Sequence, residues 1–339
     1  MKQKIVMIKP GKKNLITDVD GINVGNAHDS DAFTGVTAIV PDNAAVGGVD
    51  VRGGGPGTRE TEVLRPDCLV DRVNAVVLSG GSVFGLEAAA GATSALAATG
   101  RGFAMREFNV PIVPSAVLFD LFNGGDKDWG HMPPYRELGR QAVMEATNTF
   151  SLGNVGAGYG AAAGMLKGGL GSCSAVTDDG IQVGAVIAVN PVGSVLFPNS
   201  HSFWAWPFEQ NGEFGGVGAP QTDGDISLDA ITNGRLMENT TIGVVATNIT
   251  LTKSQAQRVA IMAQDGYARS IRPVHTPFDG DTIFTLSTEK KPLDTPEPLA
   301  LARIGAIAAD CVARAVARAV YNADSLGKLP GYRSLLRKT

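Results

Sequence analysis

The chain has 339 residues, 44% of them hydrophobic and 6% aromatic, which is enough apolar side chain for a large core in one or two domains. Its formal net charge of -4 offers no basic surface to nucleic acid or to an anionic membrane. The three cysteines, Cys68, Cys173 and Cys311, form neither a disulfide framework nor a zinc pattern and fit a reducing compartment.

Residues 1–13 carry five lysines and no apolar stretch long enough for a signal peptide. No run approaches the roughly 20 apolar residues of a membrane span. The expectation is a cytoplasmic protein. Residues 35–40 read as a first buried strand, and 51–62, built on Gly53-Gly54-Gly55-Pro56-Gly57, as a loop. A strand at 75–78 leads to a helix at 85–98. A second loop at 123–134, rich in Gly, Asp and Pro, leads to a helix at 135–146. The glycine run 156–164 suits closely packed layers or backbone that approaches a substrate. A buried strand at 184–189 ends on Asn190-Pro191-Val192-Gly193.

Residues 208–234 make the longest aperiodic stretch, and a loop of that length inside a compact domain is either functional or disordered. A strand at 242–252, a helix at 253–269, a strand at 282–287 and an Ala-rich helix at 297–321 complete the chain. Arg303, Arg314 and Arg318 on that last helix read as a solvated or subunit-facing stripe. Strands and helices come in blocks rather than alternating, which argues for two packed sheets with helices outside, not a doubly wound parallel sheet. No domain boundary or fixed-period repeat interrupts the sequence.

The chemistry concentrates at Asn239-Thr240, where a polar loop turns into the apolar run Thr241-Ile242-Gly243-Val244-Val245-Ala246. A Thr heading a buried strand can attack the carbonyl just before it and cut the chain. Its hydroxyl is then a nucleophile and its own α-amine, with a pKa near 7.7–8.0, the base. Asn239-Thr240-Thr241 also matches the N-glycosylation pattern, which a cytoplasmic location disfavours. Asp279-Gly280-Asp281 is a β-turn by its chemistry, and its carboxylates sit two apart on extended chain, so both can face the nucleophile and orient it. Asn190 ends a strand, either as a simple turn residue or as an amide donor to an oxyanion. Lys167 is the only Lys or Arg between Arg140 and Arg235, so it either snorkels to water or steadies developing negative charge. There is no Walker A loop, no G-x-S-x-G elbow around Ser82, and no ligand cluster among His28, His131, His201 and His275.

With these motifs the chain resembles the self-processing hydrolases that include L-aminopeptidase/D-Ala-esterase, the β-peptidyl aminopeptidases and the 6-aminohexanoate-oligomer (nylon) hydrolases. The resemblance runs through Ile16-Thr17-Asp18-Val19-Asp20-Gly21-Ile22, the glycine loop at 53–61, residues 78–87, the glycines of 153–164, Asn190 to Gly193, the segment from Asn239, and Asp279 to Thr282. It implies an α/β (α+β type) four-layer αββα sandwich in one domain. It also implies cleavage into residues 1–239 and 240–339, which stay associated, and assembly of several such pairs, commonly four. Thr240 matches the family nucleophile, Asn190 its N-P-x-G asparagine, and Asp279 and Asp281 its acidic pair. Two positions depart. Met165 stands where the nylon hydrolases place a catalytic lysine, with Lys167 two residues on, and Phe84 stands where they place a tyrosine.

The reading is a cofactor-free amide hydrolase acting on peptides or linear oligoamides, nylon oligomers included. Thr240 attacks, Asn190 and Lys167 steady the oxyanion, and Asp279 and Asp281 hold the Thr240 amine. The rival within enzymes is a strict N-terminal aminopeptidase. The rival outside them is a small-molecule binding protein whose chain stays intact. Ornithine acetyltransferases use a similar self-cleaving threonine, but their motifs do not match.

Overall fold

The computed structural model describes residues 7–221 and 239–336. Residues 222–234 of the expected long loop therefore lie outside the described residues, as do the lysines at 2 and 4. In chain order the strands are β1 (Ile8–Lys9), β2 (Ile22–Asp29), β3 (Thr34–Pro41), β4 (Ala45–Val51), β5 (Gly57–Arg59), β6 (Arg72–Val73), β7 (Val76–Ser79) and β8 (Phe103–Met105). They continue with β9 (Phe108–Val110), β10 (Ser115–Val117), β11 (Ala162–Ala163), β12 (Leu166–Lys167), β13 (Gly169–Thr177), β14 (Gln182–Asn190), β15 (Thr240–Ile249) and β16 (Thr282–Lys291). The α-helices are α1 (Glu87–Ala98), α2 (Tyr135–Met144), α3 (Lys253–Ala263), α4 (Asp265–Ser270), α5 (Glu297–Asn322) and α6 (Tyr332–Leu336).

A seven-stranded sheet runs β1-β13-β14-β15-β16-β4-β6, and a five-stranded sheet runs β2-β3-β7-β10-β5. The strand period of two divides each sheet's side chains between two cores. On β15, Ile242, Val244 and Ala246 point into the space between the sheets, where they meet Val24, Ile39, Val76 and Leu78. Val245 and Ile249 point the other way, onto Val259 and Ala260 of α3 and Ile307 and Val312 of α5. On the far side, Val36, Ala38 and Val77 pack under Ala88 and Ala92 of α1 and Leu138 of α2. The layers are thus α, β, β, α, with three apolar clusters between them. Gly91 and Gly139 let α1 and α2 touch backbone to backbone, since a Cβ on either would sit 1.8 or 2.0 Å from a carbonyl of the other helix.

Several elements differ from their expected form for physical reasons. Strand 242–252 stops at Ile249 because Thr252 caps α3, its side chain accepting from Gln255 N while Gln255 Oε1 accepts from Thr252 N. The helix expected over 253–269 is two helices joined at Gln264. Strands β2, β4 and β13 were not anticipated, since their Gly, Ser and Ala residues dilute the β-branched signal.

The arginine stripe is corrected at Arg314 and Arg318. Arg314 is 1% exposed and donates to both carboxylate oxygens of Glu213, to Ser174 O and to Asn14 Oδ1, at 2.6–3.0 Å. Arg318 donates to the carbonyls of Asn14 and Ser172, and Arg303 pairs with Asp179. Periodicity identified one helix face but could not show that residues 14 and 213 cover it.

Candidate active site

Strand register assembles the site. β14 and β15 pair antiparallel with Asn190 directly opposite Thr240. β15 and β16 pair parallel from Ile242 and Thr282 onward, so the residues just before them, 239–241 and 279–281, also lie side by side. Asn239 forms a parallel bridge to Asp279. The sheet alone therefore brings Thr240, Asn190, Asp279 and Asp281 to one end of its three central strands.

Thr240 is 5% exposed, and its Oγ1 meets the carbonyl oxygen of Asn239 at 2.5 Å. Gly280 N donates to the same Oγ1 at 3.0 Å. Only glycine fits there, since a Cβ at 280 would fall 2.8 Å from that oxygen. The glycine loop fixes the turn from outside. Gly53 N donates to Asp281 O at 3.2 Å, Gly54 N to Thr276 O at 3.2 Å and Gly55 N to Asp279 O at 2.8 Å. A Cβ on Gly53 would lie 2.2 Å from Asp279 O, so this close approach also requires glycine.

Both carboxylates are buried and held by hydrogen bonds. Asp279 accepts from Val192 N at 3.2 Å and from Thr276 N and Oγ1 at 3.0 and 2.6 Å. Burial, then the neighbouring Asp281 charge, pushes its pKa above the usual carboxylate value. Asp281 accepts from Thr241 N at 2.8 Å and His275 N at 3.1 Å, and its Oδ2 meets His275 Nδ1 at 2.9 Å. Val192 belongs to the Asn-Pro-Val-Gly motif, so two constellations far apart in sequence join through one hydrogen bond. His275, Thr276 and the Gly280 N–H were not singled out from the sequence. The first two lie in the segment that carries Asp279, but only register shows that the backbone N–H faces Thr240.

Asn190 is held at both ends of its amide: Oδ1 accepts from Ala162 N at 2.8 Å and Nδ2 donates to Phe119 O at 3.0 Å. Lys167 is fully buried. Its Nζ donates to Gly158 O, Ala161 O and Gly168 O, each at 2.9 Å, so an ammonium's three protons are matched by three carbonyls. Burial lowers its pKa to about 7, with Asp120 opposing. Lys167 therefore braces the 158–168 segment whose Ala162 N–H holds Asn190, and no bond from it to Thr240 is present among the described residues. Phe84 packs edge-to-face on Trp129 at 5.7 Å.

A cavity of about 430 Å³ opens over Thr240, with Pro56, Ser82, Leu86, Phe119 and Phe278 among its walls. The described walls carry no charged side chain. A larger cleft of about 630 Å³, lined by Arg72, Lys253 and Glu289, shares none of these residues. Among the described residues no three His, Cys, Asp or Glu side chains converge as metal ligands, and no helix is long and apolar enough to cross a membrane.

A four-layer sandwich with a strand-heading threonine beside two buried carboxylates and an amide defines the expected class, and comparison with known proteins bears on it directly. The sequence pattern of peptidase family S58 matches residues 14–333, and the chain belongs to that family. An uncharacterized aminopeptidase of Mycobacterium tuberculosis (strain ATCC 25618 / H37Rv) is 41% identical over 95% of this chain and 98% of its own. The 6-aminohexanoate-oligomer endohydrolase of Kocuria sp. (strain KY2) is 29% identical over 84% and 78%. Among solved structures, the L-aminopeptidase D-Ala-esterase/amidase of Ochrobactrum anthropi, described as a variant of the Ntn hydrolase fold, superposes with a TM-score of 0.69 over 97% of this chain and 95% of its own, at 22% identity. The chain is an amide-bond hydrolase with that fold.

Proposed function

We propose that this hydrolase processes itself between Asn239 and Thr240 and then cleaves peptides or linear oligoamides with Thr240 as its N-terminal nucleophile. The observation that carries the reading is the hydrogen bond from Thr240 Oγ1 to the Asn239 carbonyl oxygen, with Gly280 N donating to that Oγ1. In the first step Oγ1 adds to the Asn239 carbonyl carbon and the Thr240 nitrogen departs with the hydroxyl proton. The amide becomes an ester. Water hydrolyses the ester, leaving a carboxylate on Asn239 and a free amine and hydroxyl on Thr240.

In turnover the new amine takes the hydroxyl proton as Oγ1 attacks the substrate carbonyl. It returns that proton to the leaving amine, and water then releases the acyl group. Asn190 donates to the oxyanion, a role supported by its position opposite Thr240 in the ladder. Asp281, through Thr241 N, and Asp279, beside it in the same turn, hold and orient the new amine. Lys167 serves the oxyanion side through Ala162 and Asn190.

The uncharged described walls favour a neutral chain segment such as the methylene run of an oligoamide over a charged terminus. Assembly into several cleaved pairs, commonly four, belongs to the same proposal. The hairpin of β8 and β9, with Phe103, Met105 and Phe108 each more than half exposed, is a surface such an assembly would bury.

Intact mass under denaturing conditions tests the reading. Wild type is expected as fragments 1–239 and 240–339, and Thr240→Ala as one uncut, inactive chain. A folded wild type that stays uncut on long incubation overturns it.

A further inference from the structure

Two residues in the cavity, Thr58 and Ser82, have hydroxyls that the mechanism above does not use, and Ser82 is the one held in an unusual backbone. Ser82 lines the same cavity as Thr240 and adopts a left-handed backbone, with φ 53° directly after Gly81 at φ 84°. Left-handed backbone is unfavourable for a residue with a Cβ, and glycine would hold it at lower cost. Local chemistry does not account for the serine. It is the first residue of a 3-10 turn (Ser82–Leu86) whose N-cap is Gly81. Among the described residues its hydroxyl makes no hydrogen bond.

The turn is nonetheless rigidly built. Ser82 N donates to Leu118 O at 2.9 Å. Gly81 N donates to Oδ1 of Asp120 at 2.8 Å, and the other oxygen of that buried carboxylate accepts from Thr34 Oγ1 at 2.7 Å. A Cβ on Gly81 would fall 2.0 Å from the Tyr135 ring, so the turn is clamped from below. Such a frame keeps an unpartnered hydroxyl in a fixed place on an otherwise largely apolar wall.

We propose that Ser82 is a substrate-binding residue of the hydrolase, its hydroxyl donating to a carbonyl oxygen of the bound amide chain. The inference rests on the amide-hydrolase reading of this cavity. It adds a polar anchor to walls formed by Pro56, Leu86, Phe119 and Phe278, and so favours substrates with a repeated backbone carbonyl over apolar chains bearing a single amide.

The test compares wild type, Ser82→Ala and Ser82→Gly, each purified after self-cleavage is complete, on alanine p-nitroanilide and on a linear 6-aminohexanoate oligomer. Both variants are expected to raise KM with kcat little changed, lowering kcat/KM about 3- to 10-fold, the loss of one neutral hydrogen bond. Ser82→Gly should melt no lower than wild type, because glycine relieves the left-handed strain. A purely structural serine would give the opposite split, with glycine restoring wild-type KM and alanine not. Wild-type KM in both variants, or in the glycine variant alone, overturns the assignment. A processed wild type that turns over neither amide overturns the hydrolase reading itself, and the role of Ser82 with it. Normal turnover with unchanged variants overturns only Ser82.

Discussion

Two buried lysines solve the same problem in different places. Lys167 donates to three carbonyls beside the candidate site, and Lys253 donates to Val63 O, Cys68 O and Val70 O at 2.8–3.0 Å on another part of the molecule. Each pins an irregular segment whose own backbone does not satisfy all of its carbonyls. Their surroundings differ. Leu69, between the last two carbonyls around Lys253, is 98% exposed, so water reaches that segment. Lys167 is sealed in and faces Asp120, whose carboxyl burial pushes up to about 6. A three-carbonyl cage is thus a structural device in both places, and what sets Lys167 apart is the route from its cage through Ala162 to Asn190.

Replacing each lysine with methionine breaks or sharpens that contrast. Lys167→Met is expected to have the largest effect. It leaves Gly168 O without a donor, at about 1–3 kcal/mol, and takes one of two donors from Gly158 O and from Ala161 O, at about 1 kcal/mol each, so stability should fall by about 3 kcal/mol or more. Self-cleavage should slow as well, measured as the half-time for the intact band to disappear. Processing at the wild-type rate would confine Lys167 to stability and cut the proposed link to Asn190.

Asp120→Asn comes second. Between about pH 4 and about pH 6 the folded wild type keeps a proton on Asp120 that the unfolded chain has released. The folded state is therefore favoured on the acid side, and wild type should lose stability relative to the variant as pH rises through that window. The change is on the order of 3 kcal/mol, read from urea midpoints at several pH values. A constant gap between the two proteins would mean that Asp120 does not titrate there.

Lys253→Met is expected to have the smallest effect. Water can replace part of what the ammonium supplies, so the loss should be about 1–2 kcal/mol, with self-cleavage and amide hydrolysis unchanged. A processing defect in this variant would erase the distinction between the two cages.

Much of this arrangement was legible in the sequence, unevenly. Asp279-Gly280-Asp281 and Asn190-Pro191 stand out because turn chemistry is local, and Thr240 because a polar loop meets an apolar strand there. Those residues do converge. The partners that complete the site were hidden because each depends on register. Gly280 N reaches Thr240 only through the parallel pairing of β15 with β16, and Val192 N reaches Asp279 only through the loop after β14. The fold showed the same limit. Helices with regular periodicity were readable, whereas the glycine- and serine-rich β13 was not. Arg314 was misplaced on the surface because the groups that bury it come from residues 14, 174 and 213.

The glycine loop at residues 53–55 has a further consequence for the order of events during folding. The surroundings of Thr240 draw on segments near 53, 190, 240 and 280, joined by strand pairings and by three loop hydrogen bonds that span more than 200 residues of sequence. Contacts that close such long stretches are slow to form, because the chain loses the entropy of closure before the contacts compensate for it. The Thr240 geometry is therefore among the last features to mature. On the proposed reading, the cut at Thr240 would act as a clock on the chain's own assembly: a newly made molecule stays in one piece until its most distant parts have met.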